Sequence, residues 1–302
     1  MRSIYRSARG PTYNPLMKLL FKRQINYFKI VTALGIGISN FFGISLAFGD
    51  ALANNQGNST YSAARIEAPQ DVPDSIPDRI VGDIGAAIYT SKLNIGSYGT
   101  QSLVLPYAFF DYKRFFARID TFGIKTVPVG YGYFELAGRI SLDDYTLKST
   151  INGATINKQD PIPLGIGTFQ ETPIGAFFLN AFQDAGKSRG QLYELSYFGE
   201  IETVRQIKLY PQLGIERQSS QYANYYYGVS QSEAFTTGYR SYNVGASNNP
   251  MIGMMLEIPI IDDWYLNFYG KRKWMGSNIN HSPVMTKSFQ DNIFMTVAYR
   301  FK

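Results

Sequence analysis

The chain has 302 residues, of which 15% are aromatic and only 17% are charged, and its 28 glycines favour β structure with many turns over disorder. The net charge of +6 comes from residues 1–53, which hold seven basic residues and one acid, so the neutral remainder excludes a nucleic-acid groove. Without cysteine and with a single histidine, His281, the chain has no disulfide, thiolate nucleophile or multi-histidine metal site, and no cofactor is expected.

Residues 1–53 are predicted to be a secretory signal peptide. The basic residues end at Lys29, residues 30–48 are uncharged and mostly apolar, and Ala51-Leu52-Ala53 forms a small-x-small cleavage pattern. A membrane anchor is the alternative, but glycines dilute the apolar stretch and the cleavage pattern follows it directly. Met17 opens a signal of more ordinary length and is a second candidate for the start of translation.

Residues 54–81 are predicted to form a flexible N-terminal tail. The segment is polar and punctuated by Pro69, Pro73 and Pro77. Such a stretch buries too little apolar surface to offset the entropy lost on ordering.

From Gly82 onward, apolar and polar residues alternate with the period of two that is typical of strands. The predicted strands are 82–90, 99–112, 114–124, 131–145, 173–184, 190–200, 204–217, 249–260, 263–274 and 288–301. The secondary structure of the segment 146–172 is left open, although Asn152-Gly153 between two short β-favouring runs is a type I′ hairpin signal. Counting that hairpin gives twelve strands, and omitting it gives ten.

Residues 82–302 are therefore predicted to form an all-β domain, a transmembrane antiparallel up-and-down barrel of ten to twelve strands. Several strands reach ten residues or more, which suits a tilted span, and Trp264 and Trp274 lie at strand ends where aromatic girdles form. Short connections alternate with long ones at 218–248 and 275–287, as barrels of the bacterial outer membrane require.

If the apolar face contacts lipid, the other face lines an interior with five basic and five acidic residues. Balanced charges at close quarters pair with one another, whereas an ion-selective pore carries a surplus of one sign. We therefore expect structural pairs rather than a conduction pathway. The predicted interior residues are Arg118, Asp120, Glu135, Arg139, Glu194, Lys208, Glu216, Glu257, Lys271 and Arg300.

Four segments together resemble the MipA/OmpV family of outer-membrane proteins. They are the run 105–112 (LPYAFFDY), the run 222–230 (YANYYYGVS), Ser282-Pro283-Val284 and the closing Ala298-Tyr299-Arg300-Phe301. The resemblance covers about residues 82–301. It implies an outer-membrane β-barrel with a periplasmic tail, surrounded by outer-membrane lipid and inserted by the barrel assembly machinery.

The resemblance also implies a function. The founding member is described as a scaffold that joins a membrane-bound lytic transglycosylase to a bifunctional penicillin-binding protein in murein synthesis. A non-enzymatic scaffold linked to peptidoglycan synthesis is thus the first hypothesis. The alternatives are a narrow channel for small solutes and a surface-binding or adhesive protein that acts through loops 218–248 and 275–287.

The most specific family segment is Tyr225-Tyr226-Tyr227-Gly228-Val229-Ser230. Tyrosines packing and hydrogen bonding at an outer rim explain it, with Gly228 permitting a turn, and a ligand contact is the competing explanation. His281-Ser282 suggests a hydrolase, but adjacent residues in a loop rarely meet the geometry of a nucleophile and its base, so no enzyme activity is expected.

The last strand is predicted to close the barrel, with Met295, Val297, Tyr299 and Phe301 toward lipid and Arg300 toward the interior. The resemblance implies that Tyr299 and Phe301 form the C-terminal signal that the barrel assembly machinery recognises. Lys302 departs from the family pattern, in which the chain ends at the aromatic residue.

Replacing Phe301 with alanine is expected to impair assembly, because the substitution removes the terminal aromatic side chain, whereas deleting Lys302 should leave assembly intact. The measurement is the level of heat-modifiable barrel in outer membranes. Normal levels in the Phe301→Ala variant would contradict the assignment.

Overall fold

The structure is a computed structural model and describes residues 76–96, 98–203 and 206–302. The predicted signal peptide, the alternative start at Met17 and residues 54–75 of the predicted tail lie outside these described residues.

The described residues form fifteen strands and three short helices. The strands are β1 (Val81–Lys92), β2 (Thr100–Tyr112), β3 (Phe115–Arg118), β4 (Thr121–Val129), β5 (Gly132–Arg139), β6 (Tyr145–Lys148), β7 (Thr155–Lys158), β8 (Pro163–Thr172), β9 (Gly175–Asp184), β10 (Gln191–Phe198), β11 (Ile201–Glu202), β12 (Lys208–Gln218), β13 (Ser247–Ile261), β14 (Trp264–Trp274) and β15 (Phe289–Phe301). The helices are α1 (Ser220–Tyr227), α2 (Gln231–Thr237) and α3 (Ser277–Asn280).

Twelve of these strands form one closed antiparallel wall, so the predicted fold class is confirmed. Neighbours in the wall follow chain order, β5 pairs with β8, and β10 pairs with β12. The wall closes where β1 pairs with β15, in a register that places Gly82 opposite Phe301. The two-residue β11 pairs with the first two residues of β12, and β6 pairs only with β7 in a separate small sheet.

The two ends of the wall differ. At the turn end lie residue 81, residue 301 and the connections β2–β3, β4–β5, β8–β9, β10–β12 and β13–β14. At the loop end lie the two-residue β3–β4 turn and the longest connections, which contain the β6–β7 hairpin and all three helices of the described residues.

The outer face carries the apolar belt that a lipid-facing wall needs. Exposed side chains there include Ile88, Leu136, Leu179 and Leu213. Trp264 and Trp274 mark the two ends of β14 on the same face, ten residues apart. At ~3.3 Å per residue and a tilt of about 40°, they differ in height by about 25 Å, the thickness of the apolar band in such barrels.

Among the described residues, no helix combines the length and apolar character that crossing a bilayer as a helix requires.

The predicted strand 114–124 is in fact a hairpin, β3 and β4. The chain reverses at Ile119, whose φ of 62° is rare for a β-branched residue. This position has no Asn-Gly or Asp-Gly pair, so the sequence pattern does not indicate the turn.

The segment 146–172, to which the sequence pattern assigns no barrel strand, contains β8. Apolar and polar residues do not alternate in β8, because its inward positions include Gly165 and Gly167. A β-carbon on Gly165 would lie 2.0 Å from the Ala181 carbonyl oxygen, so this position excludes a side chain. The predicted Asn152-Gly153 hairpin exists, but it pairs Lys148 with Thr155 across a longer loop and lies outside the wall. The wall has twelve strands, but the two strands beyond the predicted ten are β8 and the second strand of the β3–β4 hairpin, not β6 and β7.

Gly165→Ala is expected to destabilise the barrel by about 1–3 kcal/mol or to prevent its assembly, because β8 would have to move away from β9. Gly99→Ala is the matched control, since a β-carbon there meets nothing within 4 Å. The measurement is the heat-modifiable mobility shift against temperature, and equal midpoints for the two variants would contradict the close approach.

Candidate functional site

The charged residues inside the barrel form compact ion pairs, of which the Arg300 clamp is the most extensive. Its guanidinium contacts Asp83 through two hydrogen bonds of 2.7 Å and Glu257 through bonds of 3.2 and 2.7 Å. It also lies 3.9 Å from the ring centroid of Tyr265. Because Asp83 is on β1, Arg300 on β15 and Glu257 on β13, the clamp joins the closing strands across the interior.

Two further pairs cross the interior nearer the loop end. Arg139 contacts Glu194 at 2.6 Å, and Lys273 contacts Glu216 at 2.9 Å. All four side chains are at least 86% buried. Buried charges of this kind are tolerated only when they are paired.

A third cluster lies toward the turn end. Asp111 contacts Arg118 at 2.7 Å and Lys125 at 2.9 Å. The Arg118 guanidinium also stacks near the rings of Phe109, Phe116 and Phe169, at 5.0 to 5.2 Å from their centroids.

Six of the ten predicted interior residues contact one another or newly found partners as buried pairs: Arg118, Arg139, Glu194, Glu216, Glu257 and Arg300. Their partners Asp83, Asp111, Lys125 and Lys273 were not among the predicted interior residues. Alternation within the strands places these residues on the inward face, which is the signal that could have found them.

The other four predicted residues lie elsewhere or lack a close partner. Asp120 is half-exposed in the β3–β4 turn, where it contacts Arg139 at 3.8 Å, and Lys208 pairs with Glu200 at 2.6 Å beside the β10–β12 connection. Glu135 and Lys271 have no ion-pair partner within 4.0 Å among the described residues.

The loop end is closed by a packed layer, the cap, formed by residues 93–96 and 98–99, the β6–β7 hairpin, residues 219–246 and residues 275–288. Its core includes the fully buried Ile95, Val229, Ile279 and Val284. Such burial is typical of a folded interior rather than of mobile surface loops.

The family segment 225–230 is the centre of the cap. The last carbonyls of a helix lack intrahelical partners, and two hydroxyls from distant segments satisfy those of α1. Tyr145 donates to the Tyr226 carbonyl, and Ser282 donates to the Tyr227 carbonyl. The segments 225–230 and 282–284 thus meet in space, and the helix end joins three connections.

The predicted position of these tyrosines at an outer rim is wrong for two of them, because Tyr226 and Tyr227 are buried inside the cap. The proposed turn role of Gly228 is also wrong. Its φ of −79° suits any residue, but a β-carbon there would lie 2.3 Å from the Asn224 carbonyl oxygen. Gly228 is therefore needed for a close backbone approach.

Electrostatics reinforces the cap. Burial raises the pKa of Tyr227 to about 12 and keeps its hydroxyl protonated. Burial alone would raise the pKa of Glu233, but hydrogen bonds from Lys158 and the Ser230 N–H bring it below its ordinary value. The Lys158–Glu233 contact of 2.6 Å joins β7 to α2.

The His281-Ser282 pair has a structural explanation. The Ser282 hydroxyl is buried and donates to the Tyr227 carbonyl, while the His281 side chain is exposed at the end of α3. The geometry gives Ser282 a role in closing the cap.

The turn end is more apolar than a set of turns usually is. Tyr131, Ile174 and Ile201 lie in or beside three neighbouring connections, β4–β5, β8–β9 and β10–β12, and their exposed fractions are 53%, 66% and 52%. Turn positions ordinarily hold small or polar residues. We call these three residues the apolar rim.

The proposed assembly signal lies on the outer face of the turn end. Tyr299 packs edge-on against Trp264 and Phe301, at centroid distances of 5.5 and 4.9 Å. Lys302 is exposed and contacts Asp263 at 2.5 Å.

Comparisons with known proteins agree with this geometry. The family model described as MltA-interacting protein MipA matches residues 84–301, which is nearly the whole barrel.

Individual relatives carry outer-membrane names. Outer membrane protein Omp26La of Vibrio anguillarum is 28% identical over 215 residues, covering 70% of this chain and 79% of that protein. Outer membrane protein OmpV of Vibrio cholerae is 34% identical over 140 residues, covering 46% and 51%. The MltA-interacting protein of Escherichia coli K12 is 29% identical over 93 residues, covering 30% and 37%.

None of these three names denotes an enzyme. The match over residues 84–301, the closed wall and the outer-membrane relatives lead to one conclusion: the chain belongs to the MipA family and is a β-barrel of the bacterial outer membrane.

Proposed function

We propose that this barrel is a non-enzymatic scaffold that holds murein-synthesis enzymes at its periplasmic end. In outer-membrane barrels the short turns face the periplasm and the long loops face outward, so the turn end is periplasmic and the cap is extracellular. The observation that carries the proposal is the apolar rim, which lies on the side of the membrane where murein is built.

The rim has the character of a protein contact. Exposed apolar groups that cluster on a surface mark interaction sites more often than scattered ones do. Tyr131, Ile174 and Ile201 come from adjacent connections around one arc of the wall. A partner that covers this arc would bury them together.

A relative's name supports the choice of partner. The MltA-interacting protein of E. coli is named for its contact with MltA, and its 29% identity covers 30% of this chain. By analogy with this relative, we propose a membrane-bound lytic transglycosylase as the first partner of the barrel. A bifunctional penicillin-binding protein as second partner and insertion by the barrel assembly machinery are parts of the same proposal.

The channel alternative has less support. The cap covers the outer mouth, and ion pairs with aromatic side chains occupy the interior. Small barrels are often filled in this way.

One specific observation supports the surface-binding hypothesis. Phe235 on α2 is 89% exposed at the extracellular end. A single exposed phenylalanine is a smaller target than the three-residue rim, so we rank surface binding second.

The rim is tested by the double variant Ile174→Asp with Ile201→Asp. Crosslinked recovery of the lytic transglycosylase is expected to fall about thirtyfold or more, because losing a central apolar anchor typically costs ~2 kcal/mol or more. Phe235→Asp is the control for charge at an exposed apolar site at the opposite end, and each single variant, Ile174→Asp and Ile201→Asp, is matched to it in charge. Undiminished recovery with the double variant would contradict the docking site. Loss of surface attachment in Phe235→Asp alone would favour the second hypothesis.

Purified protein in planar bilayers is expected to show no stable conductance steps, because the cap closes one end of the interior. Heat-modifiable mobility of the same sample verifies that the barrel is folded. Reproducible single-channel steps from folded protein would contradict the closed interior and favour the solute channel.

A further inference from the structure

We infer that a groove on the lipid-facing surface of the barrel binds one phosphorylated glycolipid, with an acyl chain along the groove and a phosphate at Arg217. The groove has a volume of about 570 Å³, within the usual range of small-molecule sites. It runs from Val129, at the turn end of β4, to Arg217 and Asn248, at the loop ends of β12 and β13. The inference concerns the outer face of the wall and does not depend on the proposed scaffold role.

The groove arises from small side chains on the outer face. Ala181 on β9 lies between Ile166 of β8 and Tyr193 of β10 in the hydrogen-bonded ladder, and Thr168 is the next outward residue of β8. The larger side chains beside them, including Leu195, line the groove and remain exposed. A small side chain between large neighbours leaves a depression whose walls lack contacts, and an alkyl chain lying there supplies those contacts.

Arg217 is the one charged residue on the outer faces of β5, β8, β9, β10, β12 and β13, six strands that lie wholly within the described residues. The two preceding outward residues of β12, Leu213 and Ile215, are apolar and exposed. Arg217 therefore marks the loop-end limit of the apolar belt. A charge on the lipid face is tolerated at such a boundary, where it meets lipid headgroups, and is costly at the bilayer midplane.

The Arg217 guanidinium is held beside the groove and is open to an anion. Its Nη1 donates to Asn248 Oδ1 at 3.1 Å, which fixes the side chain at the groove end. Among the described residues, no carboxylate lies within 4.0 Å of it. Its other N–H donors suit a phosphate, which arginine binds through two parallel hydrogen bonds.

Two further cations lie at the loop end of the neighbouring strands. Lys187 and Arg189 are exposed in the β9–β10 connection, and neither has a carboxylate within 4.0 Å among the described residues. The acid at the start of this connection, Asp184, is buried and accepts hydrogen bonds from the N–H groups of Gly186 and Ser188. This border of the groove thus presents cations to a phosphorylated headgroup.

The position of the cations selects the lipid. Because the long loops of outer-membrane barrels face outward, the loop end of the apolar belt lies in the outer leaflet. That leaflet is built from a glycolipid that carries phosphates on its sugars and several acyl chains. Its phosphate matches Arg217, and its acyl chain matches the apolar groove below.

The test is native mass spectrometry of the folded full barrel in non-ionic detergent, titrated with lipid A or with dephosphorylated lipid A. One molecule of lipid A is expected to bind, and the dephosphorylated form is expected to bind more weakly. Arg217→Gln should weaken lipid A binding about tenfold, because it removes a charge-assisted contact. Arg240→Gln makes the same change at an exposed position of the cap and should leave the binding unchanged.

A second variant tests the groove apart from the charge. Ala181→Phe fills the floor and is expected to weaken lipid A binding severalfold, because the acyl chain loses its place. Ala86→Phe, on the outer face of β1, is the matched control and should bind as the unchanged protein does. The heat-modifiable mobility shift verifies that each variant is folded.

Unchanged lipid A affinity in folded Arg217→Gln or folded Ala181→Phe would overturn the inference, as would equal binding of lipid A and its dephosphorylated form. Competition with phosphatidylglycerol distinguishes the source of the phosphate. Retention of lipid A against an equimolar amount of phosphatidylglycerol supports the glycolipid. Its displacement would overturn the choice of an outer-leaflet lipid.

Discussion

The structure depends on one constraint: a closed wall of twelve strands encloses a narrow interior in which every charged side chain needs a partner. Arg300 meets this requirement by contacting Asp83 and Glu257 at once, and it thereby joins β15 to β1 and to β13. Closure of the backbone and pairing of the interior charges therefore support each other. Among the described residues, Glu135 and Lys271 are interior charges without an ion-pair partner within 4.0 Å.

The two ends of the barrel differ in how their connections are packed. At the loop end, the orphan carbonyls of α1 accept hydrogen bonds from the hydroxyls of Tyr145 and Ser282, so three connections pack into one layer. Residues buried for this purpose are not free to bind ligands. At the turn end, three neighbouring connections carry the exposed apolar residues of the rim.

Alternation of apolar and polar residues was sufficient to predict a β-barrel and most of its strands, because lipid and the interior impose opposite demands on the two faces. It failed at β8, where inward glycines replace polar residues, and at Ile119, where a strained turn lacks the usual turn residues. In both places close backbone approach or local conformation prevailed over the pattern.

The sequence by itself determined the barrel, its family resemblance and which face of most strands carries charge, since these follow from period-two patterning and local motifs. Only the tertiary structure decided which charges pair, because Arg300 and Asp83 are neighbours solely through closure of the wall. It also decided the role of the tyrosine segment 225–230. That segment and Ser282 are far apart in the chain, and they meet because a helix end needs hydrogen-bond donors that only folding brings to it.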